Sequence, residues 1–242
     1  MKLPGRAAAA FVLCFTCTSA FCANGAPQPF VASYSVNWRG MNAGTTEVAL
    51  RPDPEHPAGK AYEYASSANA RGLFRAFFSE EITQTSWLLI EDDGVRPLRY
   101  RADDGSQDTA RDIALDFDWT ARRVTGTAED KPVALDLSPG VQDVMSMQIA
   151  TMRDLARGVV PSSYTIVDKD RIKRYSYVRE PDAKLETALG EIDTVVYRSQ
   201  REGSKRAMRT WYAPSLGFIP VRAERLREGK REMLMEIREL KR

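Results

Sequence analysis

Along most of the chain, apolar and polar side chains alternate in short runs separated by turn-forming residues. "FVASYSVNW" (30–38) sets the pattern, and "AYEYASSANA" (61–70), "EITQTSWLLI" (81–90), "VRPLRYRA" (95–102) and "DTARDIALDFDW" (108–119) repeat it. "EIDTVVYRSQ" (191–200), "KRAMRTWYA" (205–213) and "REMLMEIREL" (231–240) continue it to the C-terminus. A period of two is that of a strand with one buried and one wet face. The breaks "RGMNAG", "EDDG", "DDG" and "EGK" are hairpin turns, and the proline-rich "RPDPEHPAGK" (51–60) is a loop. About 12–13 such strands in sequence predict a mainly β protein with one large curved antiparallel sheet, a half-barrel or open barrel.

"SPGVQDVMSMQIATMRDL" (138–155) breaks the period. Val141, Val144, Met145, Met152 and Leu155 recur at intervals of three and four, which predicts a helix with one buried face. Ser138 suits the N-cap, Pro139 the first helical position and Gly158 the stop. A wide curved sheet needs a cover for its apolar concave face, and this central helix is the expected one.

The N-terminus changes how the rest is counted. Lys2 and Arg6 precede the apolar "AAAAFVLCFTCTSAF" (7–21), and small residues follow at Ala20, Cys22, Ala23 and Ala26. This predicts an export signal over residues 1–26, cleaved between about 20 and 26, with a retained anchor as the lesser alternative because the apolar stretch is short for a span, and a single β-rich domain over 27–242 in the periplasm. Cys14, Cys17 and Cys22 all fall inside that leader. A mature chain without cysteine has no disulfide framework, thiolate metal site or cysteine nucleophile. Of 35 basic residues, Lys2 and Arg6 leave with the signal, and 33 remain against 33 acidic ones. That balance argues against nucleic acid as the main partner. The locally basic "RAERLREGKREMLMEIRELKR" (222–242) interleaves arginines with glutamates and is read as a solvated strand face, with an anion site as the lesser alternative.

Six segments in order resemble a known family. They are "YSVNWRGMNAG" (34–44), "ARGLF" (70–74), "RPLRY" (96–100), "VQDVMSM" (141–147), "LGEIDTVVYRS" (189–199) and "WYAPSLGFIPVR" (211–222). Together they resemble the exported bacterial family known as domain of unknown function 3108, from about Phe30 to Leu240. The resemblance implies architecture and compartment, and no reaction. It is also similar to half-barrel periplasmic proteins typified by lipoprotein carriers, in which a curved sheet embraces an apolar hollow lidded by helices. That step is an analogy of fold, which does not fix function.

Catalytic chemistry finds little footing. His56, the one histidine, stands in the proline-rich loop beside Asp53 and Glu55 and is expected simply to be exposed. No metal ligand set, phosphate loop or nucleophile elbow is present, and no cofactor is expected. The "EDDG" and "ADDG" acids suit turns, and Asp112, Asp116 and Asp118 line the wet face of a strand. Asp143 falls in the first turn of the expected helix, where a negative charge is favoured by the helix dipole. A hydrolase using acidic residues is therefore the least favoured reading.

Two apolar features are candidate binding elements. One is Met145, Met147 and Met152 of the helix, since methionine adapts to irregular shapes. The other is "RGLFRAFF" (71–78), where Leu73, Phe74, Phe77 and Phe78 sit in a connection flanked by Arg71 and Arg75. These residues point to a non-enzymatic carrier for a lipid-like or other amphiphilic ligand. The alternative is an envelope protein–protein interaction or assembly factor with a solid interior.

Overall fold

A computed structural model describes residues 27–55, 60–76, 81–106 and 108–242. The expected export signal (1–26), His56, Phe77 and Phe78 lie outside the described residues. Fourteen strands form one antiparallel sheet: β1 (Phe30–Trp38), β2 (Met41–Pro52), β3 (Ala61–Ala70), β4 (Ile82–Glu91), β5 (Gly94–Asp103), β6 (Ile113–Asp118), β7 (Arg123–Ala128), β8 (Lys131–Asp136), β9 (Ser163–Asp168), β10 (Arg171–Thr187), β11 (Gly190–Arg201), β12 (Arg206–Ala213), β13 (Ile219–Arg227) and β14 (Lys230–Lys241). Among the described residues a single α-helix, α1 (Ser146–Ala156), interrupts them, and no helix there is long and apolar enough to cross a membrane.

The strand order is β8-β7-β6-β5-β4-β3-β2-β1-β14-β13-β12-β11-β10-β9. Two meanders thus join through β1 and β14 at the centre, and the two edges, β8 and β9, are consecutive in the chain. The sheet curls without closing. Glycines permit the bending at two places: a side chain at Gly44 or Gly126 would collide with the backbone of Asn69 or Ala114. The long β10 merges two stretches that read as separate strands, because a register shift between Glu180 and Ala183 carries the pairing past Pro181.

The connecting segment between the edges does part of the closing. Gln142 N–H donates to Thr165 O at 2.9 Å, and Val167 N–H donates to Gln142 O at 2.8 Å, so this segment adds itself to edge strand β9. The Gln142 side chain reaches across to donate to Val95 O on β5 at 2.8 Å. At the opposite end, Lys169 pairs with Glu129, tying the β9–β10 turn to the β7–β8 turn.

The helix begins later than its sequence suggests. Pro139 and Gly140 form a turn, with Gly140 at φ +80°, and Gln142 is engaged with β9, so regular helix starts only at Ser146. Ile149 and Met152 insert fully buried into a core shared with Phe30, Tyr34, Leu50, Leu88, Ile90 and Leu115. Leu155 meets Tyr177, Tyr197 and Tyr212 from the other meander. Each large apolar side chain so buried contributes about 1.5–3 kcal/mol, and this packing, rather than helix propensity, holds so short a helix in place.

Candidate functional site

The barrel has two unlike ends. At the base, Asp143 and Arg153 tie the helix to the sheet, while Gln142 Oε1, Gln148 Nε2 and Arg153 Nε are buried without a hydrogen-bond partner. Asp143 is fully buried, and its Oδ1 accepts from Met145 N–H and Ser146 N–H, both at 2.7 Å. Its Oδ2 accepts from Ser86 Oγ–H at 2.6 Å, and its own N–H donates to Ser146 Oγ at 2.8 Å. Asp143 is therefore the working cap of α1 and its anchor to β4. Burial pushes its carboxyl up to about 6 against these hydrogen bonds. Arg153, also buried, donates from Nη2 to Glu91 O at 2.9 Å and Asp92 O at 2.5 Å, pinning the other end of the helix to the β4–β5 turn. Asp143 thus ties the start of α1 to β4, and Arg153, with Asp154 at 3.8 Å, ties its later turns to the β4–β5 turn.

Of the helix methionines, Met145 and Met152 are buried in the core, so at these two residues the space between helix and sheet is filled. Met147 is half-buried and accepts from Tyr177 Oη–H through Sδ at 3.2 Å. Burial raises the Tyr177 hydroxyl to about 12.

The turn acids behave as turn-formers. Asp103 Oδ1 accepts from Gly105 N–H at 2.7 Å, and Asp104 Oδ1 from Ser106 N–H at 3.0 Å. Arg101 pairs with Asp116 at 2.8 Å on the outer surface.

At the other end, the mouth, the same inner face continues past the helix. Phe30, Ala32 and Tyr34 of β1 face the core, and Val36 and Trp38 carry on in the same phase. Trp38 lies opposite Met41 and Met233; Met233 lies opposite Arg225, which lies opposite Met208. One row deeper, Val36 lies opposite Gly44 and Met235, and Met235 opposite Ala223. Val36, Trp38, Met208 and Met233 are half-buried and belong to neither core cluster among the described residues. They form an apolar wall that α1 does not cover.

The rim of this mouth is basic. Arg39 Nη2 donates to Glu232 Oε1 at 3.1 Å, Arg225 Nε lies 3.7 Å from Glu232 Oε2, and Arg206 Nε lies 4.0 Å away. Arg225 stacks over the Trp38 ring at 4.4 Å and Arg39 at 5.8 Å. The Arg39 hydrogen bond, with the neighbouring guanidinium charges, holds the Glu232 carboxyl below its ordinary value. A cavity of about 540 Å³ lies beside this rim, lined by Asn37, Arg39, Glu232, Met233 and Leu234 among others, and takes in neither Trp38 nor Arg225. The short connection Gly72–Ala76 stands at the same end, because β3 ends there and Arg71 N–H donates to Ala43 O at 2.9 Å. Leu73 is 79% exposed, Arg71 is exposed and Phe74 is half-buried.

The structure therefore separates the candidate residues: Met145 and Met152 belong to the core of the base, whereas Arg71, Leu73 and Phe74 stand at the mouth. The sequence reading passed over Trp38, Met208, Arg225 and Met233. A signal was present, since Val36 and Trp38 extend the Phe30 phase and Met233 and Met235 extend that of Ile237. Arg225 was obscured by its glutamate-rich surroundings.

A curved, unclosed antiparallel β sheet wrapped around one helix defines a β-barrel-like protein. The chain belongs to the DUF3108 family of proteins of unknown function, whose model matches residues 33–236. No curated protein matches the sequence. Among solved structures it is similar to a β-barrel-like protein of domain of unknown function DUF1849 from Brucella abortus, at 13% identity and a TM-score of 0.58 over 88% of this chain and 97% of that one. It is also similar to a protein with a YmcC-like fold from Bacteroides fragilis, at 9% identity and a TM-score of 0.41 over 88% and 95% of the two chains. At these identities the likeness is one of fold.

Proposed function

We propose that this is an exported, non-enzymatic binding protein of the periplasm that takes an amphiphilic ligand into the mouth of its half-barrel. One observation carries the reading: the inner face stays apolar beyond the reach of α1, where Val36, Trp38, Met208 and Met233 are left half-exposed. Sheet faces that need only contact water are polar, whereas this one continues the phase of the core. Unbranched methionines suit a flexible chain better than a rigid ring, because they reshape at little cost. Because Met145 and Met152 fill the space beneath α1, this reading puts the ligand at the mouth rather than under the helix. The export signal expected over residues 1–26 would put the protein in a lipid-rich envelope, which supplies ligands of this kind.

Titration with cis-parinaric acid, a fluorescent acyl chain, tests the reading. The expected result is saturable binding at one site, reduced at least tenfold by Met233→Glu, which sets a charge in the apolar wall without touching the core. Circular dichroism of the variant checks that it is folded. Absence of saturable binding to the wild-type protein overturns the reading. The exposed Leu73, Val159 and Val160 would then support the alternative of an envelope interaction protein.

A further inference from the structure

The mouth also carries a charge imbalance that its own chain does not resolve. Arg39, Arg206 and Arg225 come from three different elements, the β1–β2 turn, β12 and β13, and converge on the single carboxylate of Glu232. Neighbouring acids are already engaged: Glu228 pairs with Lys205 at 2.6 Å, and Glu224 with Arg231 at 3.1 Å and Arg209 at 3.9 Å. Among the described residues, three guanidiniums thus share one carboxylate, leaving two positive charges at the rim. The pairing is also incomplete in geometry. Arg225 Nε and Glu232 Oε2 are both buried without a hydrogen-bond partner, and of the three arginines Arg39 alone makes a hydrogen bond to Glu232. Arg39 and Arg206 side chains remain 62% and 60% exposed, so their forks are open to a ligand.

Resting on the reading of the mouth as an amphiphile site, we infer that the ligand carries a phosphate head, held by Arg39, Arg206 and Arg225, with its alkyl chain laid along Trp38, Met208 and Met233. Two uncompensated charges match a phosphate dianion, and guanidinium forks bind such oxygens bidentately. The distribution of groups fits one amphiphile end to end. Arg225 stacks on Trp38 at 4.4 Å, and Met208 and Met233 flank Arg225 on the neighbouring strands. Head and tail sites are therefore contiguous on one surface. Arg225 is also where the sheet shifts register, between Arg225 and Leu226, which sets Glu232 in the irregular position beneath the guanidiniums.

Isothermal titration of the wild-type protein with dodecyl phosphate, dodecyl maltoside and dodecyltrimethylammonium, each below its micellar concentration, separates head from tail. Dodecyl phosphate is expected to bind about tenfold or more tightly than the other two, tenfold being about 1.4 kcal/mol. Arg206→Gln, at an exposed side chain, and the double variant Arg206→Gln, Arg225→Gln are expected to lower dodecyl phosphate binding to the level of dodecyl maltoside. Circular dichroism of both variants checks that they remain folded. Equal binding of all three detergents, or variants that leave the phosphate preference intact, overturns the head-group assignment while the apolar site stands. Inorganic phosphate competing as well as dodecyl phosphate overturns it in favour of a free-anion site. If no detergent binds, the amphiphile reading itself fails, and this inference with it.

Discussion

The base and the mouth of this barrel are built on the same strands and in the same side-chain phase, yet they meet opposite ends. At the base, Phe30 and Tyr34 of β1 share their core with a helix that Asp143 and Arg153 tie to β4 and to the β4–β5 turn. A few residues on, Val36 and Trp38 of the same strand meet no helix and are left beneath arginines that outnumber their counter-charge. The difference teaches where stability and adaptability are separated. Packing beneath α1 and the ties of Asp143 and Arg153 fix one end, whereas half-buried side chains and arginines sharing one carboxylate mark the other.

The comparison breaks most readily in the core. Met152→Ala should destabilise the protein by about 2–5 kcal/mol in urea unfolding, whereas Met233→Ala at the mouth should cost less than about 1 kcal/mol. Equal losses would show that the mouth is core like the rest. Asp143→Ala removes the cap and orphans two N–H groups, so a loss of about 1–3 kcal/mol is expected by the same measurement.

Asp143 also predicts a pH dependence. Its carboxyl titrates near 6 in the folded protein against about 3.9 in an unfolded chain. The folded state holds the extra proton between those values, so this contribution is fully present below about pH 4 and is lost as pH rises through about 6. Unfolding measured from pH 4 to 7 should therefore show stability falling by up to about 3 kcal/mol through this group, a slope that Asp143→Asn should flatten. A slope unchanged in that variant would place its origin elsewhere. Smallest of all, Leu73→Ser should alter stability by less than about 0.5 kcal/mol, because Leu73 is 79% exposed. Any larger loss would mean that the rim segment is packed rather than free.

The strands were legible because alternation survives wherever one face is wet. "FVASYSVNW" and "REMLMEIREL" therefore announced themselves, as did the turns between them. The helix was legible in kind but not in its start, because Ser138 and Pro139 mimic a cap that the edge pairing of Gln142 prevents from forming. Asp143 stood out as an acid at the helix start, but its tie to Ser86, far away in sequence, is a product of folding alone. The mouth was harder to foresee. That Trp38 and Arg225 share a surface follows from the β1–β14 and β13–β14 registers together, and no local pattern encodes two registers at once.

The joining of the two meanders through β1 and β14 bears on how the molecule is assembled. Ser35 accepts from Arg238 across a separation of 203 residues, and every contact in that ladder is similarly remote. Forming it requires closing a loop the length of nearly the whole domain, which makes it a slow step. Until it forms, each meander ends in an unpaired strand at what will become the middle of the sheet, and such an edge is a template for the wrong neighbour. The centre of the finished sheet is thus the most vulnerable line of the unfinished one, and crowding during folding would be felt there first.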